Sequence, residues 1–303
     1  MLFQLSKIAS LAPLPAAISI GRFLGLMIYY LLPIKRRIAF QNVERVFKHS
    51  KTRREKRRIV RNCYAQLGMY VMELLRLPML TPELSEDLIE FQGYEHLDAA
   101  FKRGKGVIIA ASHMDNIDYA GCSMAIRGIP ISVPAREIKW APAQKFISEV
   151  RSRTGVILLP RQRVKEQIKE LLKQNQSVTF VVDQHMSQRR AIVCEFFGQL
   201  ASTSSAPARF ALENGAAIVP GVIFRKGKPG HHILRFEPIF ELETPYEDLT
   251  LNIRHNTERL NRIIEGWILE QPEQWLWLHR RWKVHDHPND WDIPQELLHL
   301  KER

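Results

Sequence analysis

Val107-Ile108-Ile109-Ala110-Ala111-Ser112-His113-Met114-Asp115-Asn116-Ile117-Asp118-Tyr119-Ala120-Gly121 is the stretch on which the fold turns. Its first five residues are wholly apolar and follow Gly104 and Gly106, the pattern of a strand buried on both faces in a parallel sheet. The run then breaks into His113 and short polar side chains before a small-residue helix. Open α/β sheets place their chemistry at such strand ends. His113 and Asp118 are too far apart in angle to share one helix face, so contact between them needs His113 in the loop and Asp118 in the first helical turn. An imidazole held by a carboxylate keeps one tautomer and accepts a proton from a hydroxyl. The residues themselves also allow a plainer reading, in which Asp115, Asn116 or Asp118 caps the helix N-terminus.

Outward from this stretch the strand-and-helix alternation repeats. Helices are expected at Tyr94 to Arg103, Tyr119 to Arg127, Ala141 to Arg153 and Val164 to Gln174, and strands at 131–133, 155–159 and 178–182. This predicts an α/β fold with a mostly parallel central sheet flanked by helices. Strand ends then bring His113, Arg136, Arg161 and Asp183 to one rim, where two fixed cations suit an oxyanion or phosphate. Ser202-Thr203-Ser204-Ser205 precedes a helix near Pro207 and reads mainly as capping, with phosphate contact as the other option.

Upstream, Thr52 and Glu55 form a capping box for a long helix ending near Leu77, with Arg53, Arg54, Lys56, Arg57, Arg58 and Arg61 at its start. The apolar stretch from Leu11 to Ile34 ends in Tyr29-Tyr30 and Lys35-Arg36-Arg37, and reads as an uncleaved membrane-anchoring helix with cytoplasmic flanking charge; a buried amphipathic helix is the other reading. The expected organisation is a membrane anchor over residues 1–34 and one catalytic domain over residues 35–303.

The 44 Lys and Arg against 32 Asp and Glu give a net charge of +12, which favours anionic partners. Cys63, Cys122 and Cys194 are odd in number and widely spaced, with no metal-ligand pattern, so a reducing compartment and no metal site are expected. GxSxG, Walker and GxGxxG patterns are absent, which argues against serine hydrolases, NTPases and dinucleotide enzymes. His185, His231 and His232 read as structural or surface residues. Near the C-terminus, Trp275, Trp277 and Trp282 alternate with His279, Arg280, Arg281 and Lys283. They fit nucleic-acid stacking, a membrane interface, or packing of a terminal helix.

His113-Met114-Asp115-Asn116-Ile117-Asp118 resembles the H-x-x-N-x-E/D element, and Pro272 to Lys283 the PEQW-W-HRR-K signature, of the lipid A biosynthesis acyltransferases, the late lauroyl and myristoyl transferases of the lysophospholipid acyltransferase superfamily. Asn42 through Glu73, Asp183-Gln184, Phe196-Phe197-Gly198, Thr203 and Val219-Pro220 extend the resemblance over nearly the whole chain. It implies a glycerolipid acyltransferase-like enzyme at the inner membrane, facing the cytoplasm. Such an enzyme moves a fatty acyl chain from an acyl carrier protein thioester to a hydroxyl of an anionic glycolipid, with no cofactor, metal or nucleic acid. By position, His113 is the general base and Asp118 its orienting carboxylate, with Asn116, Arg136, Arg161, Asp183, Gln184, Arg280 and Arg281 in substrate binding. Asp118 stands where the lipid A branch commonly has Glu. That leaves a lysophospholipid or another glycolipid as alternative acceptor, acyl-CoA as alternative donor, and, in another class, a non-catalytic basic membrane-binding protein.

Overall fold

The computed structural model describes residues 1–301 except 33, 135–137, 161 and 188–190. Four helices open the chain: α1 (Leu2–Leu11), α2 (Leu14–Leu31), α3 (Arg36–Phe47) and α4 (Arg53–Arg76). The alternating part follows as α5 (Pro82–Leu88), β1 (Ile89–Gln92), α6 (Tyr94–Lys102), β2 (Val107–Ala111), α7 (Ile117–Ile126), β3 (Ile131–Pro134), α8 (Ala141–Arg153), β4 (Ile157–Leu159), α9 (Val164–Lys173) and β5 (Ser177–Val181). A hairpin of β6 (Ala191–Phe196) and β7 (Gln199–Ser204) precedes α10 (Ala206–Asn214), β8 (Ala217–Arg225), β9 (His232–Phe236), α11 (Leu249–Glu270) and the one-turn α12 (Lys283–Asp286).

The sheet has seven strands in the order β1-β9-β8-β2-β5-β3-β4, parallel except where β8 meets β9. The expected α/β class is observed, and β2 stands at the centre of the sheet, paired on both sides. Because strand side chains alternate between faces, Ile108 and Ala110 of β2 pack toward α3, α4, α9, α10 and α11, while Val107 and Ile109 pack toward α5, α6, α7 and α8. Strands β1, β8 and β9 and the β6–β7 hairpin are not legible from local pattern. β8 contains Pro220 and Gly221, residues that speak against a central strand, yet it pairs with β2 through Ala110↔Pro220 and Ala111↔Gly221.

The capping box that opens α4 is present: the Thr52 amide donates to Glu55 Oε2 at 2.8 Å and the Glu55 amide to Thr52 Oγ1 at 3.3 Å. Ser202, Thr203 and Ser204, expected mainly as caps, instead lie in β7, and Ser205 at the α10 N-terminus makes no side-chain cap. Edge pairing with β6 outweighs the local preference of hydroxyl residues for helix starts.

α2 and α4 meet through glycines. A methyl on Gly25 would stand 2.1 Å from the Tyr64 carbonyl oxygen, and one on Gly68 2.0 Å from that of Gly21. Gly25→Ala therefore has to push two helices apart, and we expect a loss of about 1–3 kcal/mol despite the higher helix propensity of alanine. Denaturant unfolding in detergent checks this, with an unchanged midpoint as the contrary result.

Candidate active site

The loop after β2 carries the site. β2 and β5 are paired in register, Ala111 opposite Val181, so the second residue beyond each strand comes to the same place on the rim. Those residues are His113 and Asp183. His113 Nδ1 lies 2.7 Å from Asp183 Oδ1, and the His113 amide donates to Asp183 Oδ2 at 2.9 Å. The Trp275 indole N–H donates to the same Oδ2 at 2.6 Å. With a carboxylate facing it, Nδ1 carries the proton and Nε2 is left as the basic nitrogen. The Asp183 side chain is 1% exposed and that of His113 27%, so the carboxylate is sealed and the imidazole reachable. Burial alone would raise the Asp183 carboxyl, but the facing imidazole and the hydrogen bonds from His113 and Trp275 hold it below its ordinary value.

Asp118 does not hold His113. It is buried in the first turn of α7, where it accepts from the Tyr70 hydroxyl at 2.6 Å and from Arg151 Nε at 2.6 Å. It thereby ties α7 to α4 and α8. His113 is in the loop and Asp118 in the first helical turn, as a contact between them would need, but Tyr70 and Arg151 take up the Asp118 carboxylate instead. Asn116 is the α7 N-cap, accepting from the Tyr119 amide at 3.0 Å, while its amide nitrogen donates to Glu73 Oε2 at 3.0 Å. The capping and site readings thus divide among neighbours: Asn116 caps and His113 takes the rim.

The loop is clamped from both sides. The Asp115 amide donates to the Gln274 carbonyl at 2.9 Å and the Leu276 amide to the His113 carbonyl at 3.2 Å, an antiparallel bridge between Met114 and Trp275. Beneath it sits a buried charge cluster that no local sequence pattern announces. Arg225 bonds Glu73 through both terminal nitrogens and Asp115 Oδ1 at 3.0 Å, and His232 bonds Asp115 Oδ2 at 2.5 Å and Glu73 Oε1 at 3.3 Å. Burial lowers His232, but the two carboxylates more than reverse this and bring it up to about 9. Burial raises Glu73, while His232 and Arg225 bring it down to about 2. Two anions thus face two cations. Asp115 has a left-handed backbone (φ 41°), a conformation these contacts help to impose.

The C-terminal signature is neither an exposed stacking surface nor a terminal helix. Trp275, Trp277 and Trp282 are buried, and Arg281 is fully buried, donating to the Ser202 carbonyl and Thr203 Oγ1 at 2.5 Å each. Arg281 braces β7 from inside rather than meeting solvent, its guanidinium held by the Ser202 carbonyl and Thr203 and packed over the Phe196 ring. Arg280 is exposed and lines a cleft of about 1480 Å³ between α3 and the C-terminal segment, with Arg37, Arg45, Lys48, Arg53 and Lys283. The His279 ring accepts from the His185 amide at 2.9 Å, and burial lowers His279 to about 4, so it stays neutral. Gln184 is half-buried beside Asp183. Arg136 and Arg161 lie outside the described residues.

Beside the loop, a narrow apolar slot runs between the sheet and α7, lined by Ile109, Ala111, Gly121, Val133, Val181 and Gly221 among others. The three cysteines are free and buried, and burial raises Cys63 and Cys122 to about 12 and Cys194 to about 11, which leaves no thiolate nucleophile at neutral pH. Among the described residues no group of three or more His, Cys, Asp or Glu is placed to hold a metal ion.

The sequence points to Asp183 only as a member of the site, and gives no place there to Trp275, Glu73, Asp115, Arg225 or His232. The legible signal for Asp183 is its position two residues past an apolar strand, as for His113.

The chain is 24% identical over 279 residues to the lipid A biosynthesis lauroyltransferase of Escherichia coli, covering 90% of this chain and 87% of that one. It is 24% identical over 274 residues to the palmitoleoyltransferase of the same organism, covering 90% and 86%. With the phosphatidylinositol mannoside acyltransferase of Mycolicibacterium smegmatis it shares 25% identity over 228 residues, covering 74% and 72%. Residues 3–284 match the family model described as bacterial lipid A biosynthesis acyltransferase. The chain belongs to that family and is an acyltransferase.

Proposed function

We propose that the chain transfers a fatty acyl group from an acyl carrier protein thioester to a hydroxyl of an anionic lipid A precursor, at the inner membrane and facing the cytoplasm. The observation that carries the chemistry is the His113–Asp183 pair, with Nδ1 on a buried carboxylate and the ring reachable from the rim. His113 Nε2 takes the proton of the acceptor hydroxyl as its oxygen attacks the thioester carbonyl, and Asp183 stabilises the imidazolium that forms. The tetrahedral intermediate breaks its C–S bond, and the imidazolium returns the proton to the departing thiolate. The products are the ester and the free thiol of the carrier, with no covalent enzyme intermediate. Arg136 and Arg161, which follow β3 and β4 in the chain, would meet the oxyanion or an acceptor phosphate. The basic cleft around Arg280 suits a phosphorylated acceptor or an acidic carrier, and Gln184 stands next to the reacting centre. Arg281 and Asn116, whose side chains are spent on internal hydrogen bonds, would act by shaping the site.

Detergent-solubilised protein given labelled acyl carrier protein thioester and a Kdo-bearing lipid A precursor tests this, beside parallel reactions with acyl-CoA, a phosphatidylinositol mannoside and a lysophospholipid. Acylation of the lipid A precursor from the carrier is expected. Preferential acylation of the mannoside, the acceptor in the name of one relative, would replace the acceptor and keep the chemistry.

The apolar slot is the natural place for the acyl chain. A Cβ on Gly121 would meet no atom within 4 Å and so opens onto free space. Gly121→Leu should shift chain preference toward shorter thioesters with little change in stability. A competition assay with donors of graded chain length reads this, and an unchanged preference would remove the slot from the acyl path.

A further inference from the structure

The C-terminal signature delivers one more side chain to the catalytic rim. Trp275 and Leu276 are clamped to the loop of His113 and to Asp183, and the chain then turns through 277–279. Asn42 Nδ2 fixes that turn, donating to the carbonyls of Trp277 and His279 at 2.7 Å each. The His279 ring is thereby brought against the segment that follows Asp183, where its Nε2 accepts from the His185 amide at 2.9 Å. A nitrogen that accepts carries no proton, so in the neutral ring the hydrogen is on Nδ1. The ring is half-buried, and among the described residues that hydrogen has no acceptor. The charges that bear on His279 are those of Asp183, Arg281, His113 and His185, the residues of the catalytic cluster, whereas its neighbour Arg280 lines the basic cleft.

Attack on a thioester puts negative charge on the carbonyl oxygen, and a fixed hydrogen-bond donor aimed at that oxygen lowers the barrier. An uncharged donor also leaves the base intact, whereas a second imidazolium beside His113 would weaken it. We propose that His279 is a catalytic residue whose Nδ1–H donates to the thioester carbonyl oxygen while His113 takes the proton of the acceptor hydroxyl. The hydrogen stays on Nδ1 throughout. Its bond to oxygen tightens as the tetrahedral intermediate forms and relaxes when the C–S bond breaks and the carbonyl returns. The His185 amide keeps the ring in the donating tautomer, and burial keeps it from charging. Arg136 and Arg161 are then left for a phosphate on the acceptor. The inference rests on His113 as the base of the proposed reaction and adds the group that meets the other reactant.

Two substitutions separate this role from a structural one. In His279→Asn the amide nitrogen stands close to the place of Nδ1 and can donate, but the side chain is too short to accept from the His185 amide. In His279→Gln the side chain reaches that amide and leaves the place of Nδ1 empty. Full-length protein in detergent is given an acyl carrier protein thioester with an isotope-labelled carbonyl, and difference infrared spectra are recorded beside melting curves, kcat and KM with whichever acceptor the wild type uses. We expect His279→Gln to lower kcat by about 10²–10³-fold with KM little changed, and His279→Asn to lose no more than about tenfold. The carbonyl stretch should be displaced to low frequency in the wild type and His279→Asn, and return toward that of the free thioester in His279→Gln. The stretch is read with the donor alone, so a different acceptor leaves it unchanged, and His113→Ala should remove turnover without moving it. Wild-type kcat in His279→Gln, or a stretch that is the same there as in the wild type, would overturn the proposal and leave His279 as a lock on the segment after Asp183.

Discussion

His113→Ala and Asp183→Asn are each expected to lower acyl transfer by about 10²–10⁴-fold with the fold retained, whereas Asp118→Asn should leave the rate per folded molecule within a few-fold of wild type. In the proposed reaction His113 would supply the basic nitrogen, and Asp183 is the carboxylate that touches its ring. Asparagine at 183 keeps the size of the side chain but removes the charge that balances the imidazolium. It also offers an N–H where an acceptor is needed for both His113 and Trp275. Asp118 acts on stability. Its replacement weakens the contacts with Tyr70 and Arg151, at about 1–3 kcal/mol. Steady-state rates beside melting curves separate the two carboxylates. If Asp118→Asn abolished turnover in a protein that melts normally, the orienting role would return to Asp118.

Arg225→Met is the substitution with the largest expected effect on stability. Arg225 neutralises Glu73 and Asp115, whose side chains are both fully buried, and its loss leaves two carboxylates facing one imidazolium. Breaking such a buried cluster from one side costs about 3–5 kcal/mol, a fall in melting temperature on the order of 10 °C. Adding Glu73→Gln restores the charge balance and should recover part of the loss. The same cluster sets a pH dependence. His232 is raised from 6.5 to about 9, so its contribution is complete below about pH 6.5 and is lost as pH rises through 9. Glu73 is lowered from 4.5 to about 2, so its contribution is present above about pH 4.5 and is lost as pH falls through 2. Together they place the plateau between these limits. Melting curves across the range from mildly acidic to alkaline pH read the upper limb, and His232→Gln should flatten it. An Arg225→Met protein that melts with the wild type would show that the cluster holds nothing.

Much of this molecule is legible in its sequence, and the limit of that legibility has a physical cause. Local pattern is enough for a capping box at Thr52 and Glu55, for a buried strand at Val107–Ala111 and for a helix behind Asn116, because each involves residues within one or two turns of one another. The same locality exposes His113 at a strand end. Contacts between segments are set otherwise. Asp183 reaches His113 across 70 residues because β2 and β5 pair in register, whereas Asp118, five residues away, is turned toward Tyr70 and Arg151 by the helix it begins. The resemblance gives Arg281 as a substrate-binding cation in a basic run, and only the fold around Thr203 and Phe196 makes it an internal brace.

His232 and Arg225 likewise have no local signature, since their partners come from α4 and from the loop after β2. The apolar character of α2 is a property of its sequence, but its orientation follows from glycine contacts with α4, a helix separated from it in the chain by the whole of α3. Sequence alone therefore determined the strand-and-helix alternation from α6 to β5, the family resemblance and the strand-end position of His113, all of which depend on short-range pattern. Tertiary structure decided which carboxylate touches the His113 ring, which arginines are buried and which helix faces are free, because those depend on register and packing between distant segments.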